Sequence, residues 1–129
     1  MVIKTVDQGD FAPGKQVTVD ITVWCYNSSD KLDLYYTTNV ATPSWTTLAT
    51  SLSCPSTRGV YTFSRTFTLN GTATGQQAVR AQLRYSGWAG TCTSGSYNDR
   101  DDLVFTVSTA VAQKAPSKTT TQGRNTAQR

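Results

Sequence analysis

The residues able to do chemistry in this chain are few, and several crowd one stretch, GSYNDRDDLVFTV at 95–107. Asp99, Asp101 and Asp102 surround Arg100 there, directly before the apolar run Leu103, Val104, Phe105 and Val107. The whole chain carries eight Asp, no Glu and no His. The first reading of the stretch is structural. Asp99 or Asp101 caps a turn through its main-chain N–H groups, and another Asp pairs with Arg80 or Arg84 on a neighbouring strand. The second reading is a Ca²⁺ site. Calcium takes about six to eight oxygens, and Asn98, Asp99, Asp101 and Asp102 with loop carbonyls would supply them, although the spacing lacks the D-x-D-x-D-G order of an EF-hand. The third reading is contact with a ligand. Catalysis is the weakest. No His is present to activate a Ser or Cys nucleophile. Asp101 and Asp102 are neighbours, and neighbours on an extended chain point to opposite faces, so they do not flank one glycosidic bond. The chain is therefore expected not to be an enzyme, and a structural Ca²⁺ is the one cofactor these residues suggest.

Aromatic side chains supply the second set of candidates. Trp24 and Tyr26 share a parity opposite to Val17, Val19, Ile21, Val23 and Cys25. If the valine row faces the core, Trp24 and Tyr26 are exposed and Tyr35 joins them, a row suited to stacking on sugar rings or on a partner protein. The alternative has the tryptophan folded over the core, as in many sandwiches. Trp88, between glycine and alanine in SGWAG, is either a binding tip or a lid over one end of the fold.

The three cysteines form no C-x-x-C pair, and without His they complete no zinc site. Cys54 in SLSCPS and Cys92 in AGTCTSG both fall in loops, and a Cys54–Cys92 bridge is expected, worth about 4 kcal/mol in the chain-entropy account. Cys25 would then be a buried, inert thiol within the valine row, or else the source of an intermolecular bridge. Disulfide use fits an oxidising, extracellular compartment. Asn27-Ser28-Ser29 and Asn70-Gly71-Thr72 are formal glycosylation acceptors, at a frequency chance would give in so Ser- and Thr-rich a chain.

The elements that position these residues are strands. APGKQVTVDITVWCY opens the structured part with strict alternation, NSSD is turn chemistry, and KLDLYYTT comes next. WTTLAT is a short strand. VYTFSRTFTL alternates again, with Arg65 breaking its apolar row as expected near an edge. NG at 70–71 marks a tight turn. QQAVRAQLRY sets Val79, Ala81, Leu83 and Tyr85 against Arg80, Gln82 and Arg84. A long Gly-rich loop leads to LVFTV, the last strand. Six or seven short strands without a helical period predict an all-β, antiparallel Ig-like or jelly-roll-type sandwich of six to eight strands over residues 1–107.

Charge separates this body from the C-terminal residues. Residues 1–107 hold eight Lys/Arg and eight Asp, so the body is neutral, and the net charge of +4 sits at Lys114, Lys118, Arg124 and Arg129. A neutral body without a basic face argues against nucleic acid as a partner. No apolar run approaches the roughly 18 residues of a membrane span. MVIKTVDQGDF lacks the apolar segment of a signal peptide, so a removed leader or a longer parent protein is expected. Residues 108–129 are polar, basic and free of aromatics, the composition of a disordered tail or linker.

Taken in order, KLDLYYTT…PSWTTL, QAVRAQLRY and GSYNDRDDLVFTV resemble the β-sandwich accessory modules near the C-termini of secreted bacterial proteases and other large exported proteins. The resemblance runs from about Gly14 to Val107. It implies export, a sandwich fold and no catalysis within the module, and it carries no ligand residues. Together these readings predict a secreted, extracellular binding or adhesion module that contacts a polysaccharide or protein surface. The alternative is a self-assembling subunit of an extracellular filament or sheath, its tail added to a neighbour's sheet edge.

Overall fold

The computed structural model describes residues 1–85, 88–92 and 98–109, with the main chain of 119–121 and 126–128. The elements are β1 (Val2–Thr5), β2 (Gln16–Cys25), β3 (Lys31–Thr37), β4 (Thr46–Ser53), β5 (Gly59–Thr68), β6 (Gly75–Arg84), β7 (Asn98–Val107), β8 (Thr119–Thr121) and β9 (Thr126–Gln128), with no helix among the described residues. One sheet runs β5-β2-β1-β8, with β9 also paired to β2, and the other runs β4-β3-β6-β7. The seven strands of the body form two antiparallel sheets, the expected sandwich. Relative to a constant-type immunoglobulin domain the fourth strand has changed sheets and lies beside β3.

Period-two alternation builds the core. Val17, Val19, Ile21, Val23 and Cys25 of β2 are buried against Leu32, Leu34 and Tyr36 of β3, Val79, Ala81 and Leu83 of β6, and Leu103, Phe105 and Val107 of β7. Each fully buried aliphatic side chain contributes about 1.5–3 kcal/mol of transfer free energy. Edge strand β5 adds the half-buried Tyr61, Phe63 and Phe67. Arg65 interrupts that row and stays exposed, its Nη1 donating to the Ser64 carbonyl at 2.8 Å.

Four features differ from the sequence expectation. The structured part begins earlier, because β1 pairs with β2 from Val2↔Asp20 to Thr5↔Val17 and buries Met1 and Ile3. β7 begins at Asn98, so the acidic residues belong to a strand and not to a turn. Aspartates are poor strand formers, but β7 pairs along its whole length with β6, and the register sets Asp102 opposite Arg80. The tail contributes two strands: β8 pairs antiparallel with β1, and β9 pairs parallel with Thr22–Trp24 of β2.

The fourth difference is the disulfide. Cys54 is bonded to Cys25, with a Cα–Cα distance of 5.8 Å, and not to Cys92, which is an exposed free thiol. Cys25 ends β2 in one sheet and Cys54 directly follows β4 in the other, so the bridge joins the sheets at one end of the sandwich. Buried Asp30 holds that end in place. Its carboxylate accepts the Tyr26 N–H at 2.7 Å, and its carbonyl accepts the Cys54 N–H at 3.0 Å. No helix of the described residues is long and apolar enough to cross a membrane.

Candidate functional site

The outer face of the four-stranded sheet is polar and largely covered, which is unusual for a face that alternation alone would leave in water. Asp33, Tyr35 and Thr37 of β3 and Gln82 and Arg84 of β6 are all buried there. The register places Asp33 beside Gln82 and Tyr35 beside Arg80 across β3 and β6, and Arg80 beside Asp102 across β6 and β7.

Two ion pairs organise the face. The inner one joins Asp33 and Arg84, with Nε donating to Oδ2 at 2.7 Å and Nη2 to Oδ1 at 3.3 Å. Ser51 completes it: its N–H donates to Asp33 Oδ1 and its Oγ accepts from Arg84 Nη2, each at 2.8 Å. Ser51 sits at φ +57°, within the stretch where β3–β4 pairing shifts register, so the ion pair fixes a left-handed residue in an edge strand. The Tyr35 hydroxyl and Gln82 Nε2 are buried nearby without a hydrogen-bond partner among the described residues. Burial first, then the Asp33 carboxylate, hold the Tyr35 phenol above its usual 10.0, against the opposing pull of Arg84.

The outer ion pair is the better placed for contact. Arg80 is bidentate to Asp102, Nε–Oδ1 at 2.7 Å and Nη2–Oδ2 at 2.9 Å. Its Nη1 donates to the Thr91 carbonyl at 2.9 Å, and its guanidinium carbon lies 4.4 Å from the centroid of the Trp45 ring. The hydrogen bonds that Arg80 donates to Asp102 raise its already high pKa, so the cation is permanent and its charge is matched locally. Trp45, Arg80 and Asp102 line a groove of about 110 Å³ with Thr37, Val40, Pro43, Ala78 and Val104. The loop before β4 is shaped by its own side chains. Asn39 Oδ1 accepts the Ala41 N–H at 2.9 Å, and Thr37 Oγ1 accepts the Ser44 N–H at 3.1 Å. That curl brings Pro43 and Trp45 over β6.

None of the protein-family models, curated proteins or solved structures compared with this chain matches it.

The sequence candidates fall in different places. Asp102 is in the groove, and the expected pairing of an acidic-stretch Asp with Arg80 is present. Asn98, Asp99 and Asp101 do not converge with it: in a regular strand Asn98 and Asp102 share one face, and Asp99 and Asp101 the other. Among the described residues no group of three or more His, Cys, Asp or Glu is placed to hold a metal ion, so the Ca²⁺ reading has no assembled ligand set there. Asp101 instead stands near the Met1 amino group, favouring its charged form, while burial works more strongly the other way.

Trp24 and Tyr26 do share the outer face of the three-stranded body sheet, with ring centroids 6.2 Å apart and Arg58 lying 4.7 Å over Tyr26. Exposed Val60 stands opposite Trp24 on β5. Tyr35 does not join them. It lies on the other sheet and is 3 % exposed, because the β3 face opposite the core is itself covered. Trp88 is 87 % exposed, unlike a side chain folded over the end of the sandwich. It precedes Thr91 on the same loop, whose carbonyl meets Arg80 at the groove. Residues 95–97 of the acidic stretch, and most of the 108–129 tail, lie outside the described residues. Trp45 is the site residue that composition and alternation missed: a lone aromatic at a loop–strand junction carries no periodic signal.

Proposed function

We propose that the chain is a non-catalytic extracellular binding module that contacts polysaccharide through the Trp45–Arg80–Asp102 groove. The observation that carries this reading is the stacking of Arg80 on Trp45 while its fork is held by Asp102. An indole beside a planar, locally neutralised ion pair packs against the C–H face of a sugar ring and directs donors and acceptors at its hydroxyls. A strongly charged ligand has no unmatched partner in this pair. The Cys25–Cys54 bridge is consistent with an oxidising compartment, which supports export. The loop carrying Trp88 meets the groove at Thr91, whose carbonyl accepts from Arg80. The groove is preferred to the Trp24–Tyr26 surface because it is concave and its polar groups converge.

Pull-down on a panel of insoluble polysaccharides tests it. Trp45→Ala should weaken retention at least about tenfold, the scale of one lost aromatic contact of about 1.4 kcal/mol or more, and Asp102→Asn should weaken it with less effect on stability. Retention unchanged in Trp45→Ala but lost in a Trp24→Ala/Tyr26→Ala chain would move the surface to the other sheet and refute the groove.

A further inference from the structure

The two strands from the tail point to a second interaction surface, independent of the groove. β2 is ten residues long, but β1 covers only its Val17–Asp20 stretch on one side. The remaining edge, from Thr22 to Trp24, is paired with β9. β9 also lies against β6 and β7, so it closes the side of the sandwich where the two sheets part. β8 meanwhile occupies the outer edge of β1. The body thus presents a two-step acceptor edge, with Thr119–Thr121 on one step and Thr126–Gln128 on the other.

What holds the donor there is main chain. The tail at 108–129 has no aromatic residue and only one residue larger than alanine among its aliphatics, Val111. Main-chain ladders carry little sequence information, so a second copy's β8–β9 segment satisfies the same edge equally well. β9 is three residues long and parallel, the weaker ladder geometry. Reach permits the exchange. Residues 108–118 link Val107 to Thr119 and span up to about 40 Å when extended. A body of this size is roughly 35 Å across. We propose that the edge formed by β1 and the Thr22–Trp24 half of β2 is a strand-acceptor site for β8 and β9 of a second copy of this chain, so that copies assemble by exchanging these strands.

Full-length chains in a Cys92→Ser background test the exchange. One carries Thr22→Cys and another Thr126→Cys, positions paired across β2 and β9. Paired Cα atoms at about 4.8 Å lie within the range a disulfide spans. Mixed and mildly oxidised, they should give a disulfide-linked heterodimer on a non-reducing gel. Its yield should rise with concentration toward the millimolar range of a short tether, and exceed by about tenfold the yield from a Thr106→Cys chain mixed with the Thr126→Cys chain. A heterodimer no more abundant than that collisional control, while a Thr22→Cys/Thr126→Cys double variant closes within one chain, overturns the proposal. Failure of the double variant to close overturns it as well, because β9 then does not rest on β2. Neither outcome bears on polysaccharide retention.

Discussion

Asp33 is a carboxylate with no exposed surface, and it is stable there because Arg84 Nε, Arg84 Nη2 and the Ser51 N–H all reach it. A buried pair of this kind is costly to halve. Asp33→Asn or Arg84→Met should each lower unfolding stability by about 3–5 kcal/mol in urea titration, whereas Asp33→Leu with Arg84→Met should recover most of it. Tyr35 and Tyr36 add a pH dependence. Burial is the main cause that raises both phenols above 10.0. A raised folded-state value means the stabilisation is whole below the unfolded pKa and is lost as pH climbs through the folded one. Absorbance titration at 295 nm should therefore show these two of the six tyrosines ionising late, together with unfolding. At this scale the sequence was partly legible. The Arg80–Asp102 pair follows from opposite charges on successive strands, one of them amphipathic. Charge alone suits Arg84 equally to the same acidic stretch, but it pairs with Asp33, a partner 51 positions away that only the β3–β6 register reveals.

Among the elements, alternation is legible in β2, β3 and β6 because each buries one face completely or nearly so, and in β5 because Tyr61, Phe63 and Phe67 are half-buried on one side while their neighbours are exposed. It failed where burial and alternation part. β1 is four residues long and carries Lys4, so its pattern is too short to read. The start of β7 is acidic, and its strand character comes from pairing with β6, not from propensity. The disulfide is not legible in the sequence because Cys25 reads as a member of the valine row, and parity along one strand says nothing about which loop meets its end. The corrected connectivity makes a sharp chemical forecast. A thiol assay on folded chain should find one reactive cysteine, and Cys92→Ser should abolish both that thiol and any reduction-sensitive dimer. Cys25→Ala with Cys54→Ala should cost about 3.5 kcal/mol, the loop-closure value for a separation of 29 residues.

For the whole molecule, stability should grade from the centre of each sheet to its rim. β2, β3 and β6 are paired on both sides, and the three-residue β8 and β9 are each paired with one strand only among the described residues. Hydrogen exchange should accordingly be slowest at Val17–Val23 and Val79–Leu83 and fastest in the tail strands; equal protection in β9 and β6 would contradict that order. The rim of the four-stranded sheet also answers what the acidic stretch is for. One rim, β4, is distorted by the register shifts near left-handed Ser51. The other, β7, carries Asp99, Arg100, Asp101 and Asp102 along its first half. On the far side of the molecule, β5 exposes Arg65. A kinked strand makes a poor template, and a charged one cannot bring a copy of itself into register without opposing like charges. These are gatekeepers against amyloid-type stacking: they make three borders of the fold unattractive to stray strands and leave the β1–β2 step as the border where a strand is welcome.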